Sequence, residues 1–163
     1  MKELILKIRN QTGAGIMDIK EALDAAGGDE QAALKELQKK GKAIAAKRAG
    51  REAGEGWIGS YVHANGKVAS LVKLACETDF VARNPEFQEL AHDIAMQVVA
   101  TGPEYVSEAD VPVDQKGDSN PDAILLNQPF IKDSSKTIAD LVEAATAKIG
   151  EKIEITGFSR LDI

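Results

Sequence analysis

One cysteine, two histidines and an aromatic share of 4% leave this 163-residue chain poor in the side chains that most reactive sites need. A lone Cys76 cannot close an internal disulfide, so nothing in the chain argues for secretion. No stretch approaches the roughly 18 consecutive apolar residues that a bilayer span requires. The N-terminus, MKELILKIRNQTG, has no unbroken apolar core of signal-peptide type and no Arg-rich leader. A cytoplasmic protein, bacterial rather than organellar and not membrane-bound, is the expectation. The net charge of -6 is unevenly spread. Residues 1–53 carry eleven Lys or Arg against eight acids, and the remainder carries nine against eighteen. A mildly basic head on an acidic body suggests two units facing different partners. The basic excess is small and lacks interleaved aromatics, which argues against direct nucleic-acid binding.

What is present is strongly patterned. KELILKIRNQTG places Leu4, Ile5 and Ile8 on one helical face and stops at Gly13. IMDIKEALDAAGG repeats the device with Ile16, Ile19, Ala22 and Leu23. DEQAALKELQKKG offers Asp29 as N-cap and buries Ala33, Leu34 and Leu37 before Gly41. Next, GKAIAAKRAGREAGEG predicts a short helix over 43–51 fading into a hinge at Gly54 and Gly56, or else a plain solvated linker.

The period then changes to two. WIGSYVH and KVASLVKLACE read as strands joined through Asn65–Gly66, a pair suited to a two-residue turn with both residues at positive φ. NPEFQELAHDIAMQVVATGP is punctuated as a helix: Asn84 caps, Pro85 suits the first turn and Gly102–Pro103 closes. Its apolar stripe is Phe87, Leu90, Ala91, Ile94, Ala95 and Val98. Residues 106–122 read as a polar surface loop, and ILLNQPFIKD as extended or partly helical. SKTIADLVEAATAKIG predicts a helix over 135–150, buried through Ile138, Leu141, Val142, Ala145 and Ile149, and EKIEITGFSRLDI a closing strand. The expected class is α+β. Residues 1–53 form a three-helix module with its linker helix, and 54–163 form a core in which helices pack on one face of a small antiparallel sheet.

Candidate chemistry is sparse. Gly13-Ala14-Gly15 follows a helix and precedes no Lys-Ser/Thr pair, so a tight helix–helix turn is preferred over a phosphate loop. Cys76 with His63 or His92 could in principle pair nucleophile and base, but His63 lies at the far end of the hairpin, so a buried inert thiol is preferred. Glu77 and Asp79 are too few for a metal site, and Thr78 or Asp79 is the better helix cap. No cofactor, no metal and no catalytic residue is expected. CETDFVARNP leaves two readings open. In one, Phe80 folds into the core while Asp79 caps a turn. In the other, an exposed Phe80 is a wedge for a partner's pocket.

TGAGIMDIKEAL at 12–23, TDFVARNPEF at 78–87, NQPFIKDSSKTIADLV at 127–142 and GEKIEITGFSRL at 150–161 run almost end to end in the order of one family. The chain resembles elongation factor Ts, the nucleotide-exchange factor of the translational GTPase elongation factor Tu. The resemblance implies a ubiquitin-associated-like fold for the three-helix head. It implies that Asp79 and Phe80 reach toward the Mg²⁺ and phosphate end of the GTPase's nucleotide site. It further implies that Arg9, Ile16, Met17 and Lys20 dock on the GTPase domain, Ile16 standing where Met is common. Residues 106–126 are too short and polar for the family's long coiled-coil insertion. The chain resembles the short members, whose single core is completed by pairing two copies, here through the Trp57–Cys76 hairpin. A binding adaptor with a recognition head and a dimerisation core is the alternative, and a cysteine hydrolase is a third reading.

Overall fold

The computed structural model describes residues 1–117 and 120–163. It is an α+β protein whose described residues separate into two compact units. The first comprises Met1–Arg51 together with Glu143–Lys152, and the second comprises Glu52–Val142 with Ile153–Ile163. Within the expected loop, residues 118 and 119 lie outside the described residues.

The first unit opens with α1 (Lys2–Thr12), α2 (Ile16–Ala25) and α3 (Glu30–Arg48). Gly13 closes α1 in the left-handed region at φ 68°, which an L side chain resists, and its N–H donates to the Arg9 carbonyl at 2.7 Å. Asp29 caps α3 as its sequence context predicts, accepting from the Ala32 N–H at 2.7 Å. Ile8, Ile19, Ala22, Leu23 and Ala33 are the core, with Leu4, Ile5, Leu34 and Leu37 packed around it. Ile16, expected in that stripe, is instead exposed. Lys7 pairs with Glu30 at 2.8 Å, and Lys40 with Asp18 and Glu21, so both earlier helices are tied to α3.

The largest departure here concerns Gly41. The pattern predicts a stop at Gly41 with either a short helix or a solvated linker beyond it, whereas a single helix runs through it to Arg48. A glycine weakens a helix by about 1 kcal/mol relative to alanine but does not end one. Packing offsets the loss. A β-carbon at 41 would stand in ordinary contact, 3.6 Å, with that of Ala147, and Lys42 lies 3.9 Å from Glu143.

In the second unit β1 (Glu55–Val62), β2 (Val68–Cys76) and β5 (Glu154–Asp162) form an antiparallel sheet with β2 in the centre. Gly56, expected in a hinge, is already in β1 opposite Ala75. The hairpin turn also departs from expectation. His63 bonds Val68 across a four-residue connection, and Gly66 alone has positive φ, while Asn65 turns its side chain to accept from the Lys67 N–H at 3.0 Å.

The period-two pattern has a direct consequence. Ser70, Val72, Leu74 and Cys76 are buried on one face, where α5 (Pro85–Thr101) packs over β1 and β2. Gly59 faces the same helix, and a β-carbon there would fall 2.3 Å from the Ala91 carbonyl oxygen. The helix can pass this close only over a glycine. The opposite face carries Ile58, Val62, Leu71 and Leu161, each at least half exposed.

α5 is capped by Asn84, which accepts from the Glu86 N–H at 2.9 Å, and closed by Gly102 in the left-handed region. Leu90, expected in the buried stripe, is half-buried, and Gln97 is buried instead. The Gln97 amide donates to Gln128 Oε1 and to the Pro129 carbonyl, both at 3.1 Å, and accepts from the Ile131 N–H at 2.9 Å. It thereby fastens to α5 the short ribbon of β3 (Pro129–Phe130) and β4 (Asp133–Thr137). That ribbon occupies the start of the expected 135–150 helix, and α6 (Ile138–Ile149) begins three residues late. Thr137 and Asp140 exchange side-chain and backbone hydrogen bonds at the junction and so define the start. Along α6, Ile138 and Thr146 are buried, while Leu141, Val142, Ala145 and Ile149 are half-buried.

Candidate functional site

Two surfaces hold the candidate residues, one in each unit. The first is the corner between β2 and α5. β2 ends at Cys76, whose buried thiol donates to the Thr78 carbonyl at 3.2 Å. Thr78 then caps a four-residue helix, α4 (Asp79–Ala82), accepting from the Val81 N–H at 3.5 Å. α4 rests on β1 and β2 and buries Ala82. Its one exposed turn carries Asp79 and Phe80. Phe80 is 83% exposed, so the reading that folds it into the core is excluded. Thr78 rather than Asp79 provides the cap. Asp79 pairs with Arg83, one turn on, at 3.2 Å. That carboxylate is thus held beside a ring that has no place in its own interior.

A large apolar side chain left in water on a rigid turn forgoes about 1.5–3 kcal/mol of burial. The turn is rigid because it is capped at one end by Thr78 and runs at the other through Arg83 and Asn84 into the cap of α5. An acid, an aromatic ring and a cation within the five positions 79–83 present a small wedge with mixed charge.

The second surface is the turn between α1 and α2. Arg9 is exposed on α1, and Ile16, Met17 and Lys20 are exposed on the first turns of α2, Met17 at 67%. Gly13 and Gly15 bring the two helix ends together, and Thr12 braces the turn, donating to the Ile8 carbonyl and accepting from the Ala14 N–H. Leu6, one turn before Arg9, is also exposed. The apolar stripe through Leu4, Ile5 and Ile8 leaves it off the core face, which is the signal that could have singled it out. Asp79 and Phe80 belong to the other unit.

The pairing of Cys76 with a histidine fails on register. Cys76 lies opposite Glu55, whereas His63 sits past the other end of β1 against Tyr61. His92 Nδ1 bonds the Ser60 carbonyl at 2.9 Å. Among the described residues no group of three or more His, Cys, Asp or Glu could hold a metal ion, and no helix is long and apolar enough to cross a membrane.

The model of the family described as Elongation factor TS matches residues 2–120. The chain belongs to the elongation factor Ts family. It is 43% identical to elongation factor Ts of Leptospira biflexa, over 99% of this chain and 96% of that protein. It is 42% identical to that of Fervidobacterium nodosum over the same shares, and 40% identical to that of Moorella thermoacetica over 96% and 91%. Membership in this family makes the chain a translation elongation factor.

Proposed function

We propose that this member of the elongation factor Ts family is a guanine nucleotide exchange factor for elongation factor Tu, and that it performs no bond chemistry of its own. The reading rests on one observation above the others: Phe80 stands 83% exposed on a capped, rigid turn. A protein that prefers the nucleotide-free GTPase weakens nucleotide binding by the same factor, because coupling between two ligands is reciprocal. A single coupling is commonly about 1–3 kcal/mol, or about 5–150-fold, so several contacts acting together suit a large acceleration. Phe80 enters between side chains near the metal, and Asp79 disturbs the charge around Mg²⁺ and the terminal phosphate. Arg9, Ile16, Met17 and Lys20 hold the head on the GTPase domain. The head, residues 1–53, is a ubiquitin-associated-like module, and the core, 54–163, is the platform that carries the wedge.

The test is stopped-flow release of fluorescent GDP from elongation factor Tu with and without this protein. No acceleration at micromolar concentration refutes the proposal. The exposed sheet face of Ile58, Val62, Leu71 and Leu161 supports a homodimer in which two such faces pack together. Sedimentation that finds a monomer at the concentration giving full exchange removes that part alone.

A further inference from the structure

A helix of four residues does not hold its shape alone in water, because nucleation fixes several residues for one hydrogen bond. The shape of α4 therefore depends on its neighbours. Its backbone ties are few: the Ala82 N–H donates to the Thr78 carbonyl at 3.2 Å, the Arg83 N–H to Asp79 at 3.1 Å and the Asn84 N–H to Val81 at 3.0 Å. The Ala82 carbonyl, at the last position of the helix, accepts from the side-chain amide of Gln88 at 3.3 Å. Only the nitrogen end of that amide can bond a carbonyl, so its orientation is set. Gln88 stands at the start of α5, half-buried, with its own N–H bonded to the Asn84 carbonyl at 3.1 Å. Phe87 beside it is fully buried. The side chain thus reaches back six residues from an anchored base and spans the junction at Arg83 and Asn84.

We propose that Gln88 is a positioning residue for nucleotide exchange: it fixes the C-terminal end of α4 and so aims Phe80 at the GTPase. The inference rests on the wedge role proposed above for Asp79 and Phe80. Gln88 acts through the backbone of Ala82, two residues after Phe80. Thr78 fixes the other end of α4 with its hydroxyl, so two side-chain bonds bracket the exposed ring. A turn that is open for part of the time binds as if the competent protein were diluted by that fraction. Loss of one neutral hydrogen bond shifts such an equilibrium about two- to tenfold.

The experiment compares Gln88→Met, Gln88→Glu, Phe80→Ala and the double variant Gln88→Met with Phe80→Ala, all in the full chain. Methionine keeps an unbranched side chain of similar length and removes the donor. Glutamate keeps the shape and sets a carboxylate against the carbonyl. Release of fluorescent GDP from elongation factor Tu is timed, and amide hydrogen exchange is followed in the free protein. Both Gln88 variants are expected to slow release about two- to tenfold. The Arg83 and Asn84 amides exchange faster by a similar factor, while amides in the second half of α5 keep their protection. In the Phe80→Ala background, Gln88→Met is expected to add nothing, because the residue acts through that ring. If Phe80→Ala slows release while the Gln88 variants match the wild type, the inference is wrong and the wedge survives. If Phe80→Ala is without effect, the wedge itself fails and the inference with it. A Gln88→Met loss that persists in full beside Phe80→Ala marks a general packing role, and overturns the proposal as well.

Discussion

Replacing Phe80 with alanine separates a folding role from a partner role, because the structure assigns the two very different magnitudes. Full burial of a phenylalanine is worth about 1.5–3 kcal/mol. In the free protein the ring is 83% exposed, so only about a sixth of that value, roughly 0.5 kcal/mol or less, can be lost on unfolding. For a chain of this size a loss of that order lowers the melting temperature by about 1–2 °C. In the complex, a ring buried in the GTPase loses the whole 1.5–3 kcal/mol, which corresponds to about 10–150-fold in affinity or rate. Two assays on one variant therefore suffice: thermal unfolding, and stopped-flow release of fluorescent GDP from elongation factor Tu. Near-native melting with exchange slowed at least tenfold is the expected pair. Unchanged exchange, or a melting loss of 6 °C or more that tracks a weakened complex, refutes the reasoning.

Gly59→Ala is expected to be among the most damaging single changes, since its β-carbon would meet backbone oxygen of α5 at 2.3 Å, and overpacking against backbone costs about 3 kcal/mol or more. Urea unfolding checks it against Gly66→Ala, which meets open space and carries only the strain of positive φ, about 1 kcal/mol. Gln97→Leu takes the side-chain acceptor from the Ile131 N–H and one donor from Gln128 Oε1, which keeps the Thr101 hydroxyl, and is expected to destabilise by about 1–3 kcal/mol. Faster hydrogen exchange at Ile131, with α5 amides still protected, is the signature. Asp133 is held below the ordinary carboxylate range, first by the hydroxyl and then by the N–H of Ser135, with Lys136 adding to the effect. A depressed folded pKa contributes stability above the unfolded value near 3.8, lost as pH falls through the folded one. An NMR titration of Asp133 should show a midpoint below that value in the wild type and closer to it in Ser135→Ala.

The parts of the fold that were legible in sequence are those whose cause is local. Asp29 and Asn84 cap the helices they precede, and Gly13 and Gly102 end the helices they follow, because each acts within one turn of backbone. The parts that were not legible depend on distant residues. Gly41 reads as a stop until Ala147 packs against it. Gln97 reads as a surface residue until the Gln128–Ile131 segment arrives to use both ends of its amide. The spacing predicts a helix over 135–150, three residues too early, because helical periodicity does not reveal that Ser135 and Lys136 lie in the strand β4. At the wedge, the residues by themselves leave a buried and an exposed Phe80 both open. The resemblance implies the exposed reading, and the ring is 83% exposed.

The division of the chain also bears on its synthesis. The first unit includes Glu143–Lys152, so its last packing partners are translated about a hundred residues after α3. At roughly 5–20 residues per second, the nascent head waits on the order of 5–20 s with the Gly41 side of α3 uncovered. A ribosome-bound intermediate should therefore be protease-sensitive near Gly41 until the tunnel has released Lys152, and a recombinant fragment cut at residue 53 should keep that sensitivity indefinitely.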